Sequence, residues 1–197
     1  MSAVEQYLRG RRLWPLPDAC RGVLREARLK HPDTGDTLHP VMLARIDGPD
    51  GNFRAVHRTY LAPRPDGGFG KLQGVDNAKL TLGPLPGGAI RLFPAAEHLA
   101  VAEGIETALA VHALTGMPVW ACISAEILAA LHLPIEVARL TIFADRDKAR
   151  PLHPEGHGVF AARRLAERQK AMAVQSEVRI PNPPFKDYAD VLEARAA

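Results

Sequence analysis

Four short apolar runs divide the second half of the chain at regular intervals: His98–Ala102, Pro118–Ile123, Val137–Ala144 and Ala173–Ile180. Each is too short for a stable helix, and stretches of helical length separate them. Ile105–Thr115 places Ile105, Ala108, Leu109 and His112 on one face, with Gly116 at the position where a left-handed residue ends a helix. Ser124 can cap a second helix over Ala125–Leu131, with Pro134 just beyond it, and a third covers Gly158–Ala171 after a polar loop at 148–156. Continuous apolar strands alternating with helices predict an α/β fold, a parallel sheet buried on both faces.

The first half has a different rhythm. Val4–Lys30 carries seven Arg and Lys residues, and its spacing predicts a helix from Asp18 through Leu29. Val41–Ile46 and Phe53–Leu61 read as the strands of a hairpin around Asp47-Gly48-Pro49-Asp50-Gly51. Pro65-Asp66-Gly67-Gly68 and Pro84-Leu85-Pro86-Gly87-Gly88 mark two further turns, with Lys71 and Lys79 between them. The chain therefore divides into a small basic α+β unit at 1–96 and a Rossmann-like unit at 97–197.

Composition narrows the function classes. With 197 residues, 47% hydrophobic and 24% charged, the chain is neither disordered nor a coiled coil. Aromatics at 6% disfavour a surface built mainly of stacked rings. Cys20 and Cys122 are too few for a Cys-only zinc site. Without an apolar run of about 18 residues or a signal-peptide core, the expectation is a cytoplasmic protein with no membrane partner. Residues 1–97 hold 14 Lys and Arg against 10 Asp and Glu, while 98–197 hold 11 against 12. That asymmetry is compatible with a polyanion lying across the junction, or with ordinary surface charge.

In open parallel sheets, ligands sit beyond the carboxyl ends of the strands. The first run ends at Glu103 and the third at Asp145-Arg146-Asp147. If those strands are neighbours, three carboxylates meet, and Arg146 points away from the two aspartates. Such acids repel one another unless a cation is present, and Mg²⁺ suits carboxylates combined with water and phosphate. Gly104 permits close approach of a phosphate to the start of the following helix.

The residues VAEGIETALA, followed some forty positions later by TIFADRD, resemble the Toprim domain of bacterial-type primases, topoisomerases and certain nucleases. The longer pattern, through AARRLAER to KDYADVL, is similar to Toprim-containing primase-like proteins of phages, plasmids and mobile elements. YLRGRRL, DGPDGNFRAVHRTYL and LGPLPGGAIRLFP resemble the basic region that precedes Toprim in them. The resemblance implies Glu103, Asp145 and Asp147 as catalytic and metal-binding residues, with Mg²⁺ or Mn²⁺. It implies nucleic acid, above all single-stranded DNA, as partner, nucleoside triphosphates if the protein polymerises, and a helicase or replication protein nearby.

Position 149 is Ala149, where topoisomerase-type Toprims carry a third acid, which argues against a topoisomerase. Such primases usually carry an N-terminal zinc-binding module and often a helicase; the sequence from Met1 shows neither, and the expectation is that independent priming gives way to a reaction needing no template reader. Three functions stay open: a primase-type nucleotidyltransferase, a metal-dependent nuclease, and a non-catalytic nucleic-acid- or partner-binding module. Lys71, Lys79, Arg54, Arg58 and Lys148 are candidates for nucleic-acid or nucleotide phosphates, or are plain surface cations. Glu106, one turn beyond Glu103, is either a supporting carboxylate at the site or a solvent-facing first-turn residue. Asp187 either supports the metal from a distance or caps a helix. His153 and His157 read as loop histidines.

Overall fold

The computed structural model describes residues 1–195. All four apolar runs are strands: β6 (His98–Ala102), β7 (Val119–Ala121), β8 (Arg139–Phe143) and β9 (Gln175–Arg179). Before them lie α1 (Ala3–Gly10), β1 (Leu24–Lys30), β2 (Leu38–Asp47), β3 (Phe53–Pro63), β4 (Phe69–Lys71) and β5 (Lys79–Leu82). The helices of the second half are α2 (Ile105–Thr115), α3 (Ala125–Ala130), α4 (His157–Ala171) and α5 (Tyr188–Arg195).

The second sheet is wholly parallel, in the order β7-β6-β8-β9. The first and third runs are therefore neighbours, with Ala102 opposite Phe143 at their carboxyl ends. Gly116 ends α2 in the left-handed region at φ 72°, and Ser124 Oγ accepts the Ile127 N–H at 3.3 Å. α2 is buried all round from Ile105 to Val111, and only its last turn reaches solvent. Ile105, Ala108 and Leu109 join a core with Val4 and Leu8 of α1 and Met42 and Leu61 of the first sheet. A second core fills the space between the parallel sheet and α3 and α4, around Leu99, Trp120, Leu128, Ile142 and Leu165. Burying side chains of this size stabilises by about 1.5–3 kcal/mol each.

The first half is an antiparallel sheet in the order β1-β2-β3-β4, with β5 also paired to β3. The predicted hairpin is present, β2 against β3, with an irregularity at Ile46/Asp47. The helix expected over Asp18–Leu29 is not. Asp18–Gly22 is a 3₁₀ turn, and Leu24–Lys30 pairs along its whole length with β2. That segment is rich in helix formers, but ladder pairing outweighs propensity. Instead, a helix forms earlier, at α1, where Ser2 Oγ accepts the Glu5 N–H at 3.1 Å and Val4, Tyr7 and Leu8 face inward.

The two sheets are stitched by one segment. Ala89 bridges to Asp47 of β2, and Ile90 exchanges two hydrogen bonds with Ala121 of β7, at 2.8 and 3.0 Å. Along β3, pleating sends Ala55, His57, Thr59 and Leu61 inward, while Arg54, Val56 and Arg58 face outward. Among the described residues no helix is long and apolar enough to cross a membrane.

Candidate active site

β6 and β8 are adjacent and parallel, so the chain leaves both strands at the same end of the sheet. Glu103 follows β6 by one residue and Asp145 follows β8 by two. Glu103, Asp145, Asp147 and Asp187 line one cavity of about 520 Å³, together with Arg146, Lys148, Arg150 and His157. A larger cavity, about 610 Å³, lies beside α1 and β4, away from these acids. Its cations already have acidic partners: Arg11 with Glu193, Arg64 with Asp66 and Lys71 with Glu106.

Asp147 is fixed by the start of α4. Its Oδ2 accepts the Gly158 N–H at 2.8 Å. A Cβ at Gly158 would lie 2.9 Å from the Asp145 carbonyl and 3.2 Å from Asp147 Oδ2, so only glycine lets the helix start so close. Arg146 turns its guanidinium to the Pro181 carbonyl. Asp187 Oδ1 accepts the Asp190 N–H at 3.0 Å, the capping role foreseen for it, while the residue also lines the acid cavity. Gly104 is the N-cap of α2 and makes no side-chain cap bond.

Asp145 differs from its neighbours. Its Oδ1 is buried and has no hydrogen-bond partner. Burial, and then the charges of Glu103, Asp187 and Asp147, push its pKa up to about 8 against the weaker pull of Lys79. Glu103 is raised too, by burial and then by Asp147. Such a group of acids is under-compensated by the protein itself, and a divalent cation supplies what it lacks. The donor set therefore fits Mg²⁺ or Mn²⁺. Among the described residues, however, no three His, Cys, Asp or Glu side chains are grouped as a ready-made metal cage. The acids share a cavity without closing on a single point.

Glu106 has a third role, distinct from both alternatives read in the sequence. It is 6% exposed and accepts the Tyr7 hydroxyl at 2.5 Å and Lys71 Nζ at 3.0 Å, with Lys79 Nζ at 3.7 Å. Burial alone would raise its pKa. The charges of Lys79 and Lys71 and the Tyr7 hydrogen bond outweigh that and hold the carboxyl far below the usual range. Lys71 and Lys79, read either as candidates for phosphate or as surface cations, thus turn to a buried carboxylate. The field of Lys79 still reaches Glu103 and Asp145. His57, beside this cluster, is pushed down to about 4 by burial and then by Lys79. Tyr7 and His57 escaped functional notice in the sequence, because Tyr7 and its partner stand 99 positions apart.

Of the other expected residues, Lys148 is exposed at the cavity. Arg54 and Arg58 are not brought there: Arg54 pairs with Asp50 of the hairpin turn, and Arg58 lies on the outer face of β3. His157 begins α4, its Nε2 3.4 Å from Glu126, and its ring centroid is 4.9 Å from that of His153.

Comparisons with known proteins agree with this layout. Among curated proteins none matches. A DNA primase domain from Pseudomonas aeruginosa superposes with TM-score 0.60 at 15% identity, covering 98% of this chain and 68% of that one. The primase fragment of the bacteriophage T7 primase-helicase protein gives 0.55 at 16% identity, covering 90% and 66%. The RNA polymerase domain of Mycobacterium tuberculosis primase, in complex with double-stranded DNA, gives 0.55 at 15%, covering 96% and 68%. The chain thus spans about two thirds of these structures, and at such identities the fold is what is shared. A family described as a domain of unknown function (DUF7146) matches residues 1–92. The Toprim domain matches residues 98–197, the whole parallel sheet with its helices and all four acids of the cavity, and the chain belongs to the Toprim family.

Proposed function

We infer that this chain acts on nucleic acid by metal-dependent phosphoryl transfer of the primase type, joining nucleotides at a single-stranded DNA template. The observation that carries the reading is the buried, unpartnered Asp145 Oδ1 among Glu103, Asp147 and Asp187, beyond the ends of two adjacent parallel strands. Glu103, Asp145 and Asp147 would hold Mg²⁺ or Mn²⁺. When bound there, the ion neutralises phosphate charge and makes a hydroxyl a better nucleophile.

The chain's own groups do the rest. Lys148 and Arg150 at the cavity mouth offer positive charge to an incoming phosphate. The field of Lys79 tempers the repulsion among the acids, and Glu106 keeps Lys79 in place. Asp147, anchored to α4, keeps its carboxylate from swinging away. In the same reading, residues 1–96 are the basic unit that guides template and 97–197 the catalytic unit. A helicase or other replication protein is the partner class, since the T7 relative is part of a primase-helicase protein.

The test is incubation with single-stranded DNA, labelled nucleoside triphosphates and Mn²⁺ or Mg²⁺. Extended products that Asp145→Asn abolishes are expected. Shortening of the DNA without synthesis would replace the reading with a nuclease. Absence of both, with metal binding shown separately, would leave a binding module.

A further inference from the structure

The antiparallel sheet has a second face that the site does not use. Residues directly opposite in antiparallel strands lie on the same face. The register therefore sets Arg25, Leu43, Arg58 and Leu80 in one row across β1, β2, β3 and β5. Arg45, Val56 and Leu82 form the next row. The opposite face carries His57, Thr59 and Lys79 and looks toward Glu106, so these rows point away from the acid cavity. Leu72 and Val75 cover the sheet around Val41 and Tyr60, and Leu43 and Leu80 pack against that cluster, so the open part lies toward Arg25, Arg45, Val56, Leu82 and Phe53.

The uncovered part is apolar and cationic together. Phe53 is 56% exposed and Leu82 67%, large for such side chains. The Arg45 guanidinium lies 6.0 Å from the Phe53 ring centroid. Arg45 is neutralised by Asp47, but Arg25 and Arg58 have no acidic partner among the described residues, and Arg58 Nε is buried without an acceptor. Two strand spacings, about 10 Å, separate the backbone positions of those two residues.

Free guanidiniums beside an exposed ring call for a ligand that is anionic and has flat apolar faces. We propose that the outer face of β1, β2, β3 and β5 is a non-catalytic track for single-stranded nucleic acid. Arg25 and Arg58 take phosphates, Phe53 stacks on a base, and Val56 and Leu82 pack against sugars and base edges. The proposal rests on reading the chain as a nucleic-acid protein but not on the acids, and it adds a second contact surface to the cleft.

Fluorescence anisotropy of the full chain with a labelled oligothymidylate and the matching oligouridylate, over a salt series, tests it. The double variant Arg25→Glu/Arg58→Glu is expected to bind at least about tenfold more weakly and to flatten the log–log salt slope by about 1.4. Phe53→Ala should weaken binding about fivefold or more. Both should keep the wild-type rise in melting temperature on adding Mn²⁺, so failure of the acid site and failure of this face are read separately. If the double variant melts early, Phe53→Ala decides. Wild-type affinity and slope in a folded double variant would overturn the track, as would absence of binding by the wild type at about 50 mM salt. Binding of a polyglutamate peptide that the double variant loses, with oligonucleotide binding unchanged, would reassign the face to a protein partner and also overturn it.

Discussion

Asp145 is the side chain on which the site turns, and its isolation has a measurable consequence. A ligand that binds only the folded state stabilises it, by about 2.7 kcal/mol at a hundredfold excess over Kd. For a chain of this size, saturating Mn²⁺ should raise Tm by about 5 °C or more. Asp145→Asn, which keeps the shape and removes the charge, should erase that rise in a thermal melt, and an equal rise in the variant would remove Asp145 from the site. His57 sets an acid limit. Its folded pKa of about 4 lies below the unfolded value near 6.5, so its contribution is complete above 6.5 and is lost as pH falls toward 4. The loss amounts to up to about 3 kcal/mol, while the depressed carboxyl of Glu106 adds its own loss only below about 4.5. His57→Gln should flatten the Tm–pH curve between 6.5 and 4, and a curve parallel to wild type would contradict the burial argument. Glu103, Asp145 and Asp147 were legible as candidates because each stands just beyond the end of a strand, but their sharing one cavity depended on β6 and β8 being neighbours. The pairing of Glu106 with Tyr7 and two lysines was not, since no spacing rule links residues 7, 71, 79 and 106.

At the scale of elements, the approach of α4 to the Asp145–Asp147 segment is the closest fit in the site. Gly158→Ala must push either the helix or the Asp145 backbone aside, at a cost of about 1–3 kcal/mol in chemical denaturation. The same change should reduce the Mn²⁺ response, because Asp147 loses its anchor. Gly10→Ala, where a methyl meets nothing within 4 Å, is the control and should change stability by less than about 1 kcal/mol. Equal effects at both positions would mean that crowding at Gly158 is relieved elsewhere. The second-half elements were readable because the buried strands β6, β7 and β8 are short and largely apolar and are separated by long crossovers, a pattern with few alternatives, which also places the half-exposed β9. Leu24–Lys30 was not, since its strand exists only through β2, and a local sequence cannot report a partner that lies beyond a turn.

Across the whole molecule, the halves share one core and one buried polar cluster. Glu106→Gln leaves Lys71 and Lys79 facing an uncharged group and should cost about 3 kcal/mol in denaturant melts. It should do so within a single transition, because α2 packs against both halves. Two separate transitions in the variant would show that α2 packing does not couple the halves once this contact is gone. The basic unit and the acid-bearing unit were legible as regions of different rhythm and charge, but their joining was not. The Ala89–Ile90 segment carries that joining in few residues, and it also seals the flank of β7. A fragment starting near residue 97 would leave that flank raw, with unspent donors and acceptors beside an apolar strand, and would be prone to pair with its own copies. The first half thus shields an edge of the parallel sheet that would otherwise be open to a foreign strand.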